Sequence, residues 1–202
     1  MEIMEGTHQD ISPEQAIKVL IKKIYKDKKY PDESDLVISE EFLKELYEDI
    51  KRVCALNNVE LKMCPECRYC YYIIISQSKN IPLLPDHKKG SSDRSLWLKR
   101  YGRKYYQMYI AISRLGKFSL IYWNRHFSFF FIESEKIIFD WPSKEWEENY
   151  NKVVGVLIGK DIKLVPASLI SKRYPVQYEN KITKIIENSP SLIELLFTDE
   201  LH

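Results

Sequence analysis

The fold is decided by residues 104–141, which read KYYQMYIAISRLGKFSLIYWNRHFSFFFIESEKIIFDW. Runs rich in β-branched and aromatic residues predict four strands, at 104–115, 118–124, 127–133 and 136–141. The pairs that separate them are Gly116-Lys117, Arg125-His126 and Ser134-Glu135. Connections this short join antiparallel strands, because parallel strands need a crossover of a dozen or more residues. The stretch therefore predicts an antiparallel meander.

Helical periodicity precedes this meander. Ser12 and Pro13 are the cap and first-turn residues that begin a helix, and apolar residues follow at helical spacing, namely Ile17, Leu20, Ile21 and Ile24. A second helix is predicted to begin at Ser39 and to continue, with Cys54 still on its apolar stripe, until Asn57-Asn58 ends it. We expect these two N-terminal helices to pack together.

The remaining elements are predicted from shorter patterns. Val59, Leu61 and Met63 alternate with polar residues and 70–76 continue as a β-rich run, which together predict a hairpin. Residues 81–90 predict a loop, and 93–101 a short helix ended by Gly102. Helical spacing returns from Trp146 to Leu157, with Gly159 as the expected C-cap. A strand at 162–165 and a helix after Ser189-Pro190 complete the chain.

Together these patterns predict one α+β domain over residues 1–202, with 1–11 frayed. The N-terminal helix pair and the C-terminal helices are expected on one face of a mainly antiparallel sheet.

Length and composition favour a folded, cytoplasmic protein. The chain has 202 residues, of which 45% are hydrophobic and 30% charged, and its net charge is +2. It contains no apolar run of about 18 residues that would span a membrane, and its first ten residues lack a basic segment followed by an apolar one. We therefore expect no membrane partner, and the four cysteines are expected to be reduced.

Three of the cysteines form the most specific chemical pattern. Cys64, Cys67 and Cys70 have the two-residue spacing with which thiolates wrap zinc, and a fourth ligand would come from Cys54, His87 or another group. In an extended strand, however, Cys67 would point away from the other two thiols. Reduced structural thiols are the favoured interpretation, with zinc or redox chemistry as the alternative, so no cofactor is predicted. Cys54 continues the apolar stripe of the second helix and is expected in the core.

A second pattern mixes cations with aromatic rings over residues 88–104. Its members are Lys88, Lys89, Arg94, Lys99, Arg100, Arg103 and Lys104, with Trp97, Tyr101, Tyr105 and Tyr106. Such a mixture can bind phosphates and stack on bases, which makes a nucleic-acid-binding module the first alternative function. The competing interpretation is a solvated loop and helix whose aromatic rings dock on the sheet.

Alternation along the first meander strand places a tyrosine-rich set on one face, namely Tyr105, Gln107, Tyr109, Ala111 and Ser113. The opposite set, Tyr106, Met108, Ile110 and Ile112, is the expected core. An exposed tyrosine face would suit protein binding, whereas helices on both faces would bury it. The candidate partner-binding residues are Tyr105, Tyr109, Trp97, Tyr101, Arg100 and Arg103.

We find no nucleophile elbow, phosphate loop, zincin helix or dinucleotide fingerprint in the sequence, and we predict a non-enzymatic protein. Two segments, MYIAISRLGKFSLIYWN at Met108–Asn124 and PSLIELLFTDE at Pro190–Glu200, resemble parts of bacterial immunity-type proteins. This resemblance implies a cytosolic α+β protein that binds and neutralises a cognate toxin. Inhibitors of basic nuclease toxins tend to be acidic proteins. This chain differs from them, because its net charge is +2. The predicted function is therefore protein binding.

Overall fold

The computed structural model describes residues 12–25, 33–63, 70–84, 96–97, 100–101, 105–129, 132–179, 186–188 and 190–197. The α-helices bounded within these residues are Pro13–Ile24 (α1), Glu40–Val53 (α2), Lys144–Gly159 (α3) and Leu192–Leu196 (α4). The strands are Val59–Met63 (β1), Cys70–Ile75 (β2), Tyr105–Ser113 (β3), Phe118–Phe129 (β4), Ile132–Ile138 (β5), Lys163–Leu164 (β6), Gln177–Glu179 (β7) and Ile186–Asn188 (β8).

The main sheet has the strand order β1-β2-β3-β4-β5, and every pair in this series is antiparallel. β6 pairs with the first residues of β4 in the parallel sense, and β7 and β8 form a separate hairpin. The predicted mainly antiparallel α+β fold is thus confirmed, including the hairpin over 59–76 and a strand within 162–165.

The meander has three strands instead of the predicted four. Arg125 and His126 lie inside β4, opposite Lys136 and Glu135 of β5, so neither Arg125-His126 nor Ser134-Glu135 is a turn. A two-residue hairpin turn needs residues that tolerate positive φ, usually glycine or asparagine, and neither pair contains one. Polar pairs within a β-rich run are here part of the strands.

Helix starts follow the predicted capping signals. The Ser12 hydroxyl accepts a hydrogen bond from the Gln15 backbone N–H, and the Ser39 hydroxyl accepts one from Phe42. The predicted C-cap at Gly159 is wrong, because Gly159 is the last helical residue of α3 and Lys160 follows as the cap. The left-handed conformation falls on Asp161, at φ 57°, and aspartate is among the few non-glycine residues that adopt it readily.

Helices cover both faces of the main sheet. On the face that carries Ala111, here called the first face, the core includes Ile17 and Ile21 of α1 and Leu192 and Leu195 of α4. On the second face the core is built from α2 and α3, and its buried members include Leu43, Leu46, Ile50, Trp146, Val153 and Leu157. The expectations that α1 and α2 pack together and that helices lie on one face only are therefore wrong. The β3 residues on each face of the sheet are apolar enough that helices must pack over both faces.

The tyrosine-rich set of β3 lies on the covered first face. Tyr105, Gln107, Ala111 and Ser113 are buried, and Tyr109 is half-buried. The expected exposed tyrosine face is thus absent from the described residues, and the alternative interpretation of helices over both faces is correct. Residues 96–97 and 100–101 are helical, while the rest of the predicted 93–101 helix lies outside the described residues.

Candidate functional site

The two described cysteines lie on opposite faces of the main sheet. Cys70 belongs to the core of the first face and Cys54 to the core of the second. Cys54 therefore cannot join Cys70 around one metal ion. Its predicted core role is confirmed, and burial raises the pKa of its thiol to about 11.

The other proposed zinc ligands, Cys64, Cys67 and His87, lie outside the described residues. Within the part of the chain that the structure describes, no three histidine, cysteine or carboxylate groups converge as metal ligands would. The zinc hypothesis thus keeps only Cys70 in the described structure, where the side chain packs in an apolar core.

The aromatic residues of the 88–104 pattern pack onto the sheet. The Trp97 ring contacts Tyr105 edge-on at 4.5 Å between centroids and lies 5.1 Å from Tyr101. The Trp97 indole N–H and the Tyr105 hydroxyl both donate to the carbonyl oxygen of Pro82, at 3.1 and 3.4 Å. Burial also raises the pKa of the Tyr105 hydroxyl. Trp97 and Tyr105 therefore fasten a loop and cannot serve as an exposed partner or base platform.

The remaining candidate partner-binding residues are dispersed. Arg100 is exposed and lies 5.5 Å from the ring of half-buried Tyr101. Tyr109 stacks on Tyr122 at 5.2 Å, within a row of rings on the first face. The other cations of the pattern lie outside the described residues, namely Lys88, Lys89, Arg94, Lys99, Arg103 and Lys104. The described residues do not assemble the predicted basic and aromatic surface.

A groove of about 520 Å³ lies where α1 begins and α3 ends. Pro13, Ile158 and Leu164 supply apolar lining, and Asp161 and Lys163 supply the charges. The Asp161 carboxylate is also 3.5 Å from the ammonium group of Lys117. Ser12 also lines the groove, and its hydroxyl caps α1 by accepting the hydrogen bond from the Gln15 backbone N–H; the described lining contains no cysteine or histidine.

Exposed aromatic side chains occur at a different position, directly after β5. Phe139 is 39% exposed and Trp141 is 46% exposed, and they are the only phenylalanine or tryptophan among the exposed large apolar residues described. Asp140 separates them in the chain. We call these three residues the 139–141 patch.

Both rings of the 139–141 patch rest on other aromatic rings. The Phe139 centroid is 6.4 Å from that of buried Tyr122 on the first face. The Trp141 centroid is 5.4 Å from that of Tyr150 in α3, and Tyr150 in turn lies 5.9 Å from Trp123, which is fully buried. The patch thus packs against aromatic residues of both faces and leaves part of each ring exposed to solvent.

The surroundings of the 139–141 patch are acidic. Residues 140–148 contain four carboxylates and one lysine, although the whole chain carries a net charge of +2. Glu148 pairs with Lys152 at 3.2 Å. Within the part of the chain that the structure describes, the carboxylates of Asp140, Glu145 and Glu147 have no ion-pair partner.

Sequence reasoning missed this patch because it extended the last strand over residues 136–141. The strand instead ends at Ile138, and helix α3 begins at Lys144. Asp140 and Pro142 were the available signal, because both residues are depleted in strands. Side chains beyond that break are no longer held by the pleat and can turn outward.

No known protein family, curated protein or solved structure matches this chain. None of the described helices is long and apolar enough to cross a membrane.

Proposed function

We propose that this chain is a protein-binding domain whose contact surface is centred on the 139–141 patch. The observation that carries the proposal is the exposure of two aromatic side chains that pack on other rings, Phe139 on buried Tyr122 and Trp141 on half-buried Tyr150. Tryptophan and tyrosine dominate the residues that contribute most to protein binding. A ring already held by its own protein also loses little conformational entropy when a partner covers it.

A narrower form of the proposal follows from the resemblance to immunity-type proteins. It makes the partner a toxin and places the complex in the cytoplasm, where the thiols stay reduced. Cys54 is a buried free cysteine, and unpaired thiols are typical of proteins in a reducing compartment. The acidic residues around the patch would attract a basic toxin surface. The net charge of the whole chain, +2, would not.

The experiment that tests the proposal is a selection from a displayed library of random peptides. The bait is the intact chain, and a counter-selection uses the double variant Phe139→Ala/Trp141→Ala. The matched control, Leu56→Ala/Leu96→Ala, removes two exposed apolar side chains elsewhere on the surface. We expect peptides that bind the wild-type and control chains at least about tenfold more tightly than the patch variant. Peptides that bind all three chains equally would contradict the proposed function.

A further inference from the structure

We infer that the partner contacts the 139–141 patch with an arginine, whose guanidinium stacks on Trp141 and pairs with the carboxylates of Asp140 and Glu145. This inference rests on the proposed function and specifies the chemistry of the partner. It commits to a cationic protein surface and excludes an acidic protein or a nucleic acid at this site.

Negative charge around the 139–141 patch is not balanced by ion pairs within the described residues. Asp140 and Glu145 are both exposed, and neither forms an ion pair within the part of the chain that the structure describes. Carboxylates that line a surface with one sign of charge attract the opposite charge and speed association with it. The same carboxylates would repel phosphates, which argues against a nucleic acid here.

Around Phe42, an aromatic ring and carboxylates already bind cations of this chain. The ammonium groups of Lys117 and Lys160 lie 5.7 and 5.9 Å from the centroid of Phe42. Lys117 also pairs with Asp161 at 3.5 Å, and Lys160 pairs with Asp49 at 3.2 Å. The Phe42 cluster therefore shows that this chain combines an aromatic ring and carboxylates to bind ammonium groups internally.

The 139–141 patch has the same two components, but no described cation lies over either of its rings. A partner side chain would supply the missing component. Arginine fits better than lysine, because its planar guanidinium stacks on an indole and can bind a carboxylate through two parallel hydrogen bonds. Tryptophan is also the aromatic ring that binds cations most strongly.

One test measures the electrostatic potential at Trp141 without any partner. Trp141 is the exposed member of the four tryptophans, since Trp97, Trp123 and Trp146 are buried. The probes are caesium and iodide ions, which quench exposed tryptophan fluorescence by collision. Relative to N-acetyltryptophanamide, we expect caesium to quench about twofold more effectively than iodide at low salt, because the carboxylates concentrate cations.

The variant Asp140→Asn/Glu145→Gln should remove this preference, and Glu40→Gln/Glu41→Gln, at the start of α2, should preserve it. The variant Trp141→Phe shows whether the quenched fluorescence comes from Trp141, because it should abolish most quenching by either ion. Equal quenching by the two ions, or a preference for iodide in the wild-type chain, would overturn the inference.

The second test uses the peptides selected against the 139–141 patch. We expect them to be enriched in arginine and to lose about tenfold in affinity for Asp140→Asn/Glu145→Gln, with weaker binding as salt rises from about 50 to 500 mM. Patch-dependent peptides that are neutral or acidic, and indifferent to salt, would overturn the inference and leave the proposed function intact. A selection without patch-dependent peptides would overturn the proposed function itself.

Discussion

The two faces of the main sheet are both buried, but the chain buries them in different ways. The second face meets two long helices, α2 and α3, through side chains that are mostly aliphatic. The first face carries tyrosine, glutamine and serine on β3, and its cover combines α1 and the short α4 with non-helical chain around Val165 and Tyr174. One face is a helix–sheet interface, and the other depends on polar contacts made by individual side chains.

This difference explains where the aromatic residues of the chain are found. A tyrosine can be buried when its hydroxyl reaches a backbone acceptor, as Tyr105 does at Pro82 in a loop and Tyr25 does at Leu195 in α4. Phe139 and Trp141 lie beyond the end of β5, where the structure covers neither ring fully. Tyrosine content alone therefore does not separate exposed rings from buried ones, whereas position beyond the end of β5 does for Phe139 and Trp141.

The largest expected effect tests whether the cover of the first face is essential. Trp97→Ala should cost about 3–5 kcal/mol of unfolding free energy, because it removes a buried ring and its hydrogen bond to Pro82. Trp141→Ala should cost about 1 kcal/mol or less, because that ring is half exposed. Urea denaturation followed by circular dichroism measures both values. A loss of about 1 kcal/mol or less for Trp97→Ala as well would mean that the helical segment carrying Trp97 is not part of the core.

The second prediction tests how completely α2 and α3 exclude water from the second face. Cys54 is buried there, and burial raises its thiol pKa from 9.0 to about 11. Since the thiolate is the reactive form, alkylation of Cys54 by iodoacetamide at pH 8 should be about 100-fold slower than that of a free thiol. The chain is alkylated in its native state and then digested, and mass spectrometry of the peptides measures alkylation at Cys54 separately from the other cysteines. Labelling at the free-thiol rate would show that the interface opens readily.

The third prediction compares one tyrosine hydroxyl on each face. The buried Tyr25 hydroxyl donates to the carbonyl oxygen of Leu195 at 2.7 Å, which ties α1 to α4. The half-buried Tyr47 hydroxyl donates to Val59 at 3.1 Å. We expect Tyr25→Phe to cost about 1–3 kcal/mol and Tyr47→Phe about 0.5–1 kcal/mol, because water can replace only the second hydroxyl. The reverse order in urea denaturation would contradict the polar character assigned to the first face.

The sequence was most informative for the second face. Leu43, Leu46 and Ile50 recur at helical spacing, and burial of that stripe follows directly from helix geometry. On the first face the same reasoning assigned Tyr105 and Tyr109 of β3 to one side correctly but did not establish that this side is covered. Alternation fixes the direction of a side chain, whereas its burial depends on cover contributed by distant, irregular chain around Tyr174.

The candidate site was less predictable than the fold. Trp97 and Tyr105 were proposed as contact residues because cations surround them in sequence, yet both rings are buried. Phe139 and Trp141 were assigned to a strand because the aromatic run continues past Ile138. Their exposure depends on where the chain leaves the sheet, and strand ends are the least certain part of any sequence pattern.

The smallest expected effect concerns an ion pair at the edge of the first face. The Glu14 carboxylate in α1 pairs with Lys172 and, at 2.9 Å, with Lys18. Hydrogen bonds from these two ammonium groups, that from Lys172 first, lower the pKa of Glu14 from 4.5 to about 2. Because this folded-state pKa is depressed, the stabilisation is complete above about pH 4.5 and is lost as the pH falls through 2.

Glu14→Gln should therefore lower the Tm slightly at neutral pH, and its difference from the wild-type chain should shrink between pH 4.5 and 2. Glu148→Gln is the matched control, because its partner Lys152 lies on the same helix and joins no second segment. Thermal melts across this pH range measure both variants. A Tm difference for Glu14→Gln that persists unchanged at pH 2 would show that the ion pair does not help to hold α1 against the segment that contains Lys172.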